Sequence, residues 1–306
     1  MKIAVFGLGY VGVVNLACLS HLGHEMWGCD IKSQKVDSVK AGRSPIFEPR
    51  VAEMLEEALN KGLLFASSDA MEVVSKTDMA LICVGTPSRS DGTVNLDFAL
   101  NTASEIARCL KALNKSYDVV FRSTIPPGTV ENSFIPVFKK ELGHDFSRVN
   151  ISFLPEFLRE GSAVKDFFQC SRIVIGCNSG EPAALKEVFG YSADIPLVFT
   201  DLRTAEFVKY VDNAFHAAKI AFVNEAYSVG SAYDVDIETA NRIFLMDKHL
   251  NVAETYLRPG LPFGGSCLPK DMRAITHLAD KANVEVPVLR SILESNMKGL
   301  RNLVTR

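Results

Sequence analysis

The chain has 306 residues, 47% of them hydrophobic and 23% charged, with a formal net charge of -3. That balance suits a protein with a sizeable core and room for two domains, and it offers no broad basic field for nucleic acid. There is no block of five or more Lys or Arg and no apolar stretch long enough to span a bilayer, so neither nucleic acid nor a membrane is an expected partner.

The N-terminal stretch MKIAVFGLGYVG is interrupted by glycines before it could act as a secretory leader, and a cytoplasmic location is expected. Cysteines 18, 29, 83, 109, 170, 177 and 267 are odd in number and form no CxxC pair. Free thiols are therefore expected, with neither a disulfide framework nor a metal site.

In chain order, KIAVF (2–6) predicts a strand ending at a glycine, followed by a helix to Leu22. EMWGCD predicts a second strand ending at Asp30. Further strands are predicted in 79–87, 118–124, 149–154 and 171–176, with helices such as 50–61 and 97–112 between them. This alternation predicts an α/β fold with a Rossmann-type, doubly wound parallel sheet over residues 1–200. From 201 to 306 the pattern becomes mainly helical: one long helix over 204–231, then helices near 236–247, 269–282 and 287–303, interrupted by a loop at 258–268. The end in NLVTR has neither a glycine cap nor a polar tail, which suggests a fragment of something longer.

GLGYVG places Gly7, Gly9 and Gly12 in G-x-G-x-x-G spacing between a strand and a helix, with Tyr10 and Val11 inside the turn. Such a turn admits a pyrophosphate at the helix N-terminus. Asp30, 18 residues beyond Gly12, could bind ribose hydroxyls and would repel a 2′-phosphate, so NAD is the expected cofactor; a plain helix cap is the alternative. Lys35 could reach the adenosine side or stay solvated. Thr86 in VGTP and Thr124 in STIPPGT lie at carboxyl ends of strands, where ligands bind in this architecture.

The stretch LPFGGSCLPKD (261–271) sets Cys267 behind Gly264 and Gly265 and before a helix whose first turn holds Pro269 and Lys270. A helix N-terminus and a neighbouring lysine favour thiolate, so Cys267 reads as a nucleophile; the competing reading is a small buried hydrophobe. Lys219, in NAFHAAKIAFVNE, is the only formal charge between Ala214 and Val223. It could face a cleft to stabilise an oxyanion, or pair with a carboxylate. Asn224 is a second polar candidate, although an ideal helix sets it about 140° from Lys219. In FLPEFLREGSA, Glu156 and Glu160 share one face if the segment is helical, and one could act as general base; a solvated helix start is the alternative. Asp271 carries the same ambiguity.

Together FGLGYVG, SPIFEP, VGTP, STIPPGTV, PEFLREG, NAFHAAKIAFVNE and FGGSCLPKD resemble the UDP-glucose/GDP-mannose dehydrogenase family over essentially the whole chain. The resemblance implies oxidation of the C6 alcohol of a nucleotide sugar to a carboxylate with two NAD, through an aldehyde and a cysteine-bound thioester. It implies that Cys267 is the nucleophile, that Lys219 and Asn224 stabilise oxyanions, that Glu156 assists thioester hydrolysis, and that Thr124 and Asp271 position water or a lysine. Tyr256, Arg258, Phe263, Gly264 and Gly265 would contact the substrate, as would Glu160, and Lys270 would serve the cofactor side. It further implies a homodimer through the helix 204–231 and a C-terminal nucleotide-sugar-binding domain that this chain lacks. Leu154 stands where many members carry Asn or Ser. FHAAK, LRPG and FGGSCLPKD place GDP-mannose slightly ahead of UDP-glucose. Two other readings compete: a two-electron β-hydroxyacid-type dehydrogenase, which would not need Cys267, and a non-catalytic NAD-binding or assembly module.

Overall fold

A computed structural model of the chain describes residues 1–178, 180–231, 234–248, 260–283 and 285–304. It divides into two compact units, Met1–Pro87 with Asn95–Lys209, and Ser88–Val94 with Tyr210–Arg306. The division after Lys209 falls inside a single helix, where the sequence texture changes only gradually.

The first unit runs β1 (Lys2–Phe6), α1 (Tyr10–His21), β2 (Glu25–Cys29), α2 (Ser33–Lys40), α3 (Val51–Asn60), β3 (Leu64–Ser67), α4 (Ala70–Lys76) and β4 (Met79–Ile82). It continues through α5 (Asp97–Leu113), β5 (Tyr117–Phe121), α6 (Ile135–Leu142), β6 (Val149–Phe153), α7 (Ala163–Phe168), β7 (Ile173–Cys177), α8 (Ala183–Phe189) and β8 (Leu197–Thr200). The strands form one sheet in the order β3-β2-β1-β4-β5-β6-β7-β8. All neighbours pair in parallel except β6 and β7, which meet antiparallel at Ser152↔Cys177 and Phe153↔Gly176.

The strands are apolar at nearly every position because both faces are covered. Ile3 and Val5 of β1 pack in one cluster with residues of α1, α3 and α8, while Ala4 and Phe6 point the other way into a cluster with residues of α4, α5 and α6. β1 lies between β2 and β4, so the direction of strand progression reverses at its carboxyl end. That reversal is where a doubly wound sheet leaves a crevice for a ligand.

The helix α9 (Leu202–Ser231) begins in the first unit and enters the second at Tyr210, where α10 (Ile237–Phe244), α11 (Leu268–Lys281) and α12 (Pro287–Val304) follow. No proline or glycine interrupts α9 before Gly230, which explains its length. Its buried stripe is Tyr210, Ala214, Ala217 and Ala221, packed with Phe263, Met272 and Ile292. Val211, Phe215 and Phe222 lie on another face and are 45%, 49% and 59% exposed. Apart from Tyr210, the inward stripe is alanine, while these larger apolar side chains face outward. Among the described residues no helix is long and apolar enough to cross a membrane.

Two details complete the expected α/β architecture. The sheet is not wholly parallel, because β7 reverses before β8 resumes the parallel pairing. Residues 154–162 are irregular backbone and a turn, not helix. Pro155 lacks an N–H, and the carboxylate of Asp166 takes the backbone N–H of Arg159 at 3.0 Å, which holds the segment in a loop.

Candidate active site

In the first unit, the turn after β1 is built by close approach. Gly7 has φ +96°, and a Cβ there would lie 2.9 Å from Val84 at the end of β4. A Cβ on Gly12 would collide with the carbonyl oxygen of Gly7. Gly9 differs, since nothing lies within 4 Å of its would-be Cβ, which leaves the start of α1 open to a ligand. The Asp30 carboxylate tightens the same turn by accepting the N–H of Leu8 at 2.7 Å, while its other oxygen takes that of Lys32 at 2.9 Å. Each oxygen keeps a further lone pair for a ribose hydroxyl. An open glycine at a helix N-terminus with an acidic residue closing β2 fits NAD. Lys35 turns toward Asp30, with Nζ 3.7 Å from its carboxylate, so it reinforces that corner.

Thr86 and Thr124 are brought together: the Thr86 hydroxyl donates to the Thr124 carbonyl at 2.8 Å. The Ser123 hydroxyl donates to the Val84 carbonyl at 2.6 Å, so the loops after β4 and β5 are stitched side by side. The next turn is held by Glu206 of α9, fully buried, whose carboxylate accepts the N–H groups of Gly128 and of Val130, the latter at 2.8 Å.

Tyr10 is engaged away from the turn. Its hydroxyl donates to Glu48, whose carboxylate also accepts the N–H groups of Gly161 at 2.7 Å and Ala163 at 2.8 Å. Burial and the Glu48 carboxylate push the Tyr10 phenol well above its usual range, so it stays a neutral donor. The expected cofactor role of Tyr10 therefore narrows to its backbone and ring. Val11 follows it, half-buried, in the first turn of α1.

Glu156 is a buried carboxylate. Lys209 reaches one of its oxygens at 2.9 Å, and the Leu158 N–H reaches the other at 2.8 Å. Burial raises its pKa, but the charge and hydrogen bond of Lys209 outweigh that and hold it below the usual carboxylate range. Glu160 is exposed in the following turn, so the two carboxylates do not share a helical face. Leu154 is packed in the core beneath them.

In the second unit Cys267 is exposed and caps α11, its carbonyl accepting the Asp271 N–H at 2.9 Å. The loop leading to it is pinned from two helices. The amide of Asn224 on α9 takes the Gly260 N–H at 2.8 Å, and that of Asn296 on α12 pairs with both backbone groups of Phe263. Phe263 is only 7% exposed, its side chain packed in the core of this unit and its backbone held by Asn296. Gly264 and Gly265 follow with nothing within 4 Å of either would-be Cβ, and Gly265 has φ +73°.

Lys219 is half-buried with Nζ 4.9 Å from the centre of the Phe215 ring, and burial lowers its pKa. Lys270 pairs with Asp271 at 2.9 Å, and Asp271, 2% exposed, also accepts the Asn213 amide. Asp271 thus orients its neighbours from within the packed unit. Tyr256 and Arg258 lie outside the described residues.

Spacing and motif alone do not assign roles to Asn213, Asn296, Glu48 and Glu206. Glu48 and Asn213 carry a signal, because they sit in SPIFEP and at the head of NAFHAAKIAFVNE; Asn296 and Glu206 are polar residues on long helices that look solvated until the fold buries them.

Residues 1–191 match the UDP-glucose/GDP-mannose dehydrogenase family, NAD binding domain, and residues 203–298 match the family's central domain. A GDP-mannose 6-dehydrogenase from Pseudomonas syringae pv. tomato is 40% identical over 99% of this chain and 69% of its own length. A UDP-glucose dehydrogenase structure from the archaeon Pyrobaculum islandicum superimposes with TM-score 0.91 at 36% identity, covering 97% of this chain and 68% of that one. A ternary-complex structure of GDP-mannose dehydrogenase from Pseudomonas aeruginosa gives 0.79 at 38% identity, covering 100% of this chain and 71% of that one.

Proposed function

Because this chain belongs to the UDP-glucose/GDP-mannose dehydrogenase family and is an NAD-dependent oxidoreductase, we propose that it oxidises the C6 alcohol of a nucleotide sugar to the uronate. GDP-mannose is the favoured substrate and UDP-glucose the next; the higher identity to proteins named for GDP-mannose supports that order. The observation that carries the reading is Cys267: an exposed thiol at a helix start, on a loop pinned by Asn224 and Asn296, behind two glycines with open space above them.

When bound, NAD supplies the acceptor for each hydride. Gly9 and Asp30 hold it, with the stitched loops of Thr86 and Thr124 at the carboxyl ends of β4 and β5. Loss of a hydride from C6 and of the proton from its hydroxyl, to solvent, leaves an aldehyde, to which the Cys267 thiolate adds; Lys219 and Asn224 stabilise the oxygen that becomes negative. Loss of a second hydride gives a thioester. Water then attacks that carbonyl, the C–S bond breaks, and the thiol and carboxylate are released. Glu156, held ionised by Lys209, accepts a hydrogen bond from that water and orients it. Gly264, Gly265, Tyr256, Arg258 and Glu160 serve the substrate, Asp271 positions Lys270, and Lys270 serves the cofactor side.

The outward stripe Val211, Phe215 and Phe222 on α9 supports a homodimer through this helix. The seven free thiols support a reducing compartment, the cytoplasm. The function is tested by counting NADH formed per molecule of limiting GDP-mannose or UDP-glucose in excess NAD. Two per sugar, for one sugar only, is the expected result; one per sugar points to a two-electron dehydrogenase.

A further inference from the structure

Arg122, at the end of β5, is 6% exposed, yet its Nε has no hydrogen-bond partner among the described residues. Its guanidinium carbon lies 5.5 Å from the centre of the Phe189 ring, a contact that uses none of its five donors. A buried N–H left without an acceptor is unfavourable, so an acceptor for Nε has to come from something other than these side chains. Arg122 lines a cavity of about 40 Å³ together with Glu156, Pro155, Phe167, Cys170 and Tyr191. At roughly 10–15 Å³ per water this is room for about three waters.

The charges around the cavity select its occupant. Asp166 also lines it, and its carboxylate is already taken by Arg159 at 2.6 and 2.9 Å. Glu156 has one partner on each oxygen and retains lone pairs. The wall sets the guanidiniums of Arg122 and Arg172 against the two carboxylates, so no one sign of charge prevails, and water, which can accept from Arg122 and donate to Glu156, suits both kinds of wall group.

We propose that this cavity is a built hydration site in which Arg122 holds ordered water against the Glu156 carboxylate, making Arg122 a positioning residue for that carboxylate. The hydration site stands on the geometry alone; its consequence for thioester hydrolysis rests on the function proposed above. A network of this kind fixes the direction of the carboxylate from the Arg122 side through water, while Lys209 pairs with it directly.

Three measurements test it on the intact chain. A crystal structure resolving solvent is expected to show water bonded to Arg122 and bridged to Glu156; a dry cavity overturns the proposal. Arg122→Met is expected to lower the urea midpoint, with a smaller effect in a Glu156→Gln background and partial rescue by Arg122→Lys. Equal or greater stability of Arg122→Met in both backgrounds overturns it, because removing a dry, unpaired charge is stabilising. In the NADH assay, Arg122→Met is expected to slow thioester breakdown roughly tenfold or more, leaving KM for NAD and the first hydride transfer unchanged; a parallel fall in both hydride transfers overturns the positioning role. Absence of NADH with either sugar in the parent chain would overturn the proposed function, while the crystal structure and the urea midpoints would still judge the hydration site.

Discussion

Asn296 clasps Phe263 with both halves of its amide: Oδ1 accepts the backbone N–H at 2.7 Å and Nδ2 donates to the carbonyl at 2.8 Å. This pairing anchors the loop from which Cys267 emerges four residues later. Asn296→Ala removes both bonds and strands two backbone groups, so a loss of about 1–3 kcal/mol in urea unfolding is expected. Asn296→Asp keeps the acceptor but loses the donor, and should fall between the two.

Cys267 is the one exposed thiol of the seven. Cys18, Cys29 and Cys83 are buried, and that burial pushes each up to about 12. Iodoacetamide at pH 8 is therefore expected to label one equivalent quickly, at Cys267 by peptide mapping, with Cys170 and Cys177 slower. Cys267→Ser should abolish the fast phase and reduce NADH yield from two to at most one per sugar, with NAD affinity unchanged.

Glu206 gives a pH signature. Burial pushes its pKa from 4.5 to about 7, against the backbone N–H groups of Val130 and Gly128, which favour the charged form. The folded protein thus binds this proton more tightly than the unfolded chain. Its contribution is complete below pH 4.5 and is lost as pH rises through about 7. The difference in urea stability between the parent and Glu206→Gln should change across pH 5–8 by on the order of 1–3 kcal/mol. A pH-independent difference would show that Glu206 is ionised throughout.

The Tyr10–Glu48 contact makes a prediction about ligand binding. Glu48→Gln replaces an acceptor by a donor that faces the N–H of Gly161 or Ala163, so the turn at 159–163 loosens. NAD affinity by fluorescence titration should fall several-fold, while Tyr10→Phe, which spares those two bonds, should cost less.

For the proposed dimer, Phe215→Asp on the outward stripe of α9 should convert a dimeric species to monomer in light scattering. No change in mass would place the interface elsewhere.

Much of this was legible in the residues themselves. KIAVF followed by GLGYVG predicts β1, the turn and α1 because a glycine pattern and an apolar run are local signals, and α9 is equally plain from its uninterrupted length. The strands LFAS and LVFT, four residues each, carry no periodicity to detect. The reversal of β7 was invisible for a different reason, since pairing direction is decided by partners distant in sequence. The site divides in the same way. Cys267, Gly9 and Asp30 announce themselves through spacing, but spacing says nothing of where side chains go: Glu156 toward Lys209, Tyr10 toward Glu48, Phe263 into the core.

The openness of Cys267 has a chemical cost. A sulfur accessible to an incoming carbonyl is equally accessible to peroxide, and the ladder from sulfenic to sulfonic acid begins at whichever thiol is most exposed and most ionised. Six cysteines are shielded to some degree by the fold, so oxidative ageing of this protein should fall first on one atom. Its working lifetime is then set by the surrounding reductant, long before unfolding becomes the limit.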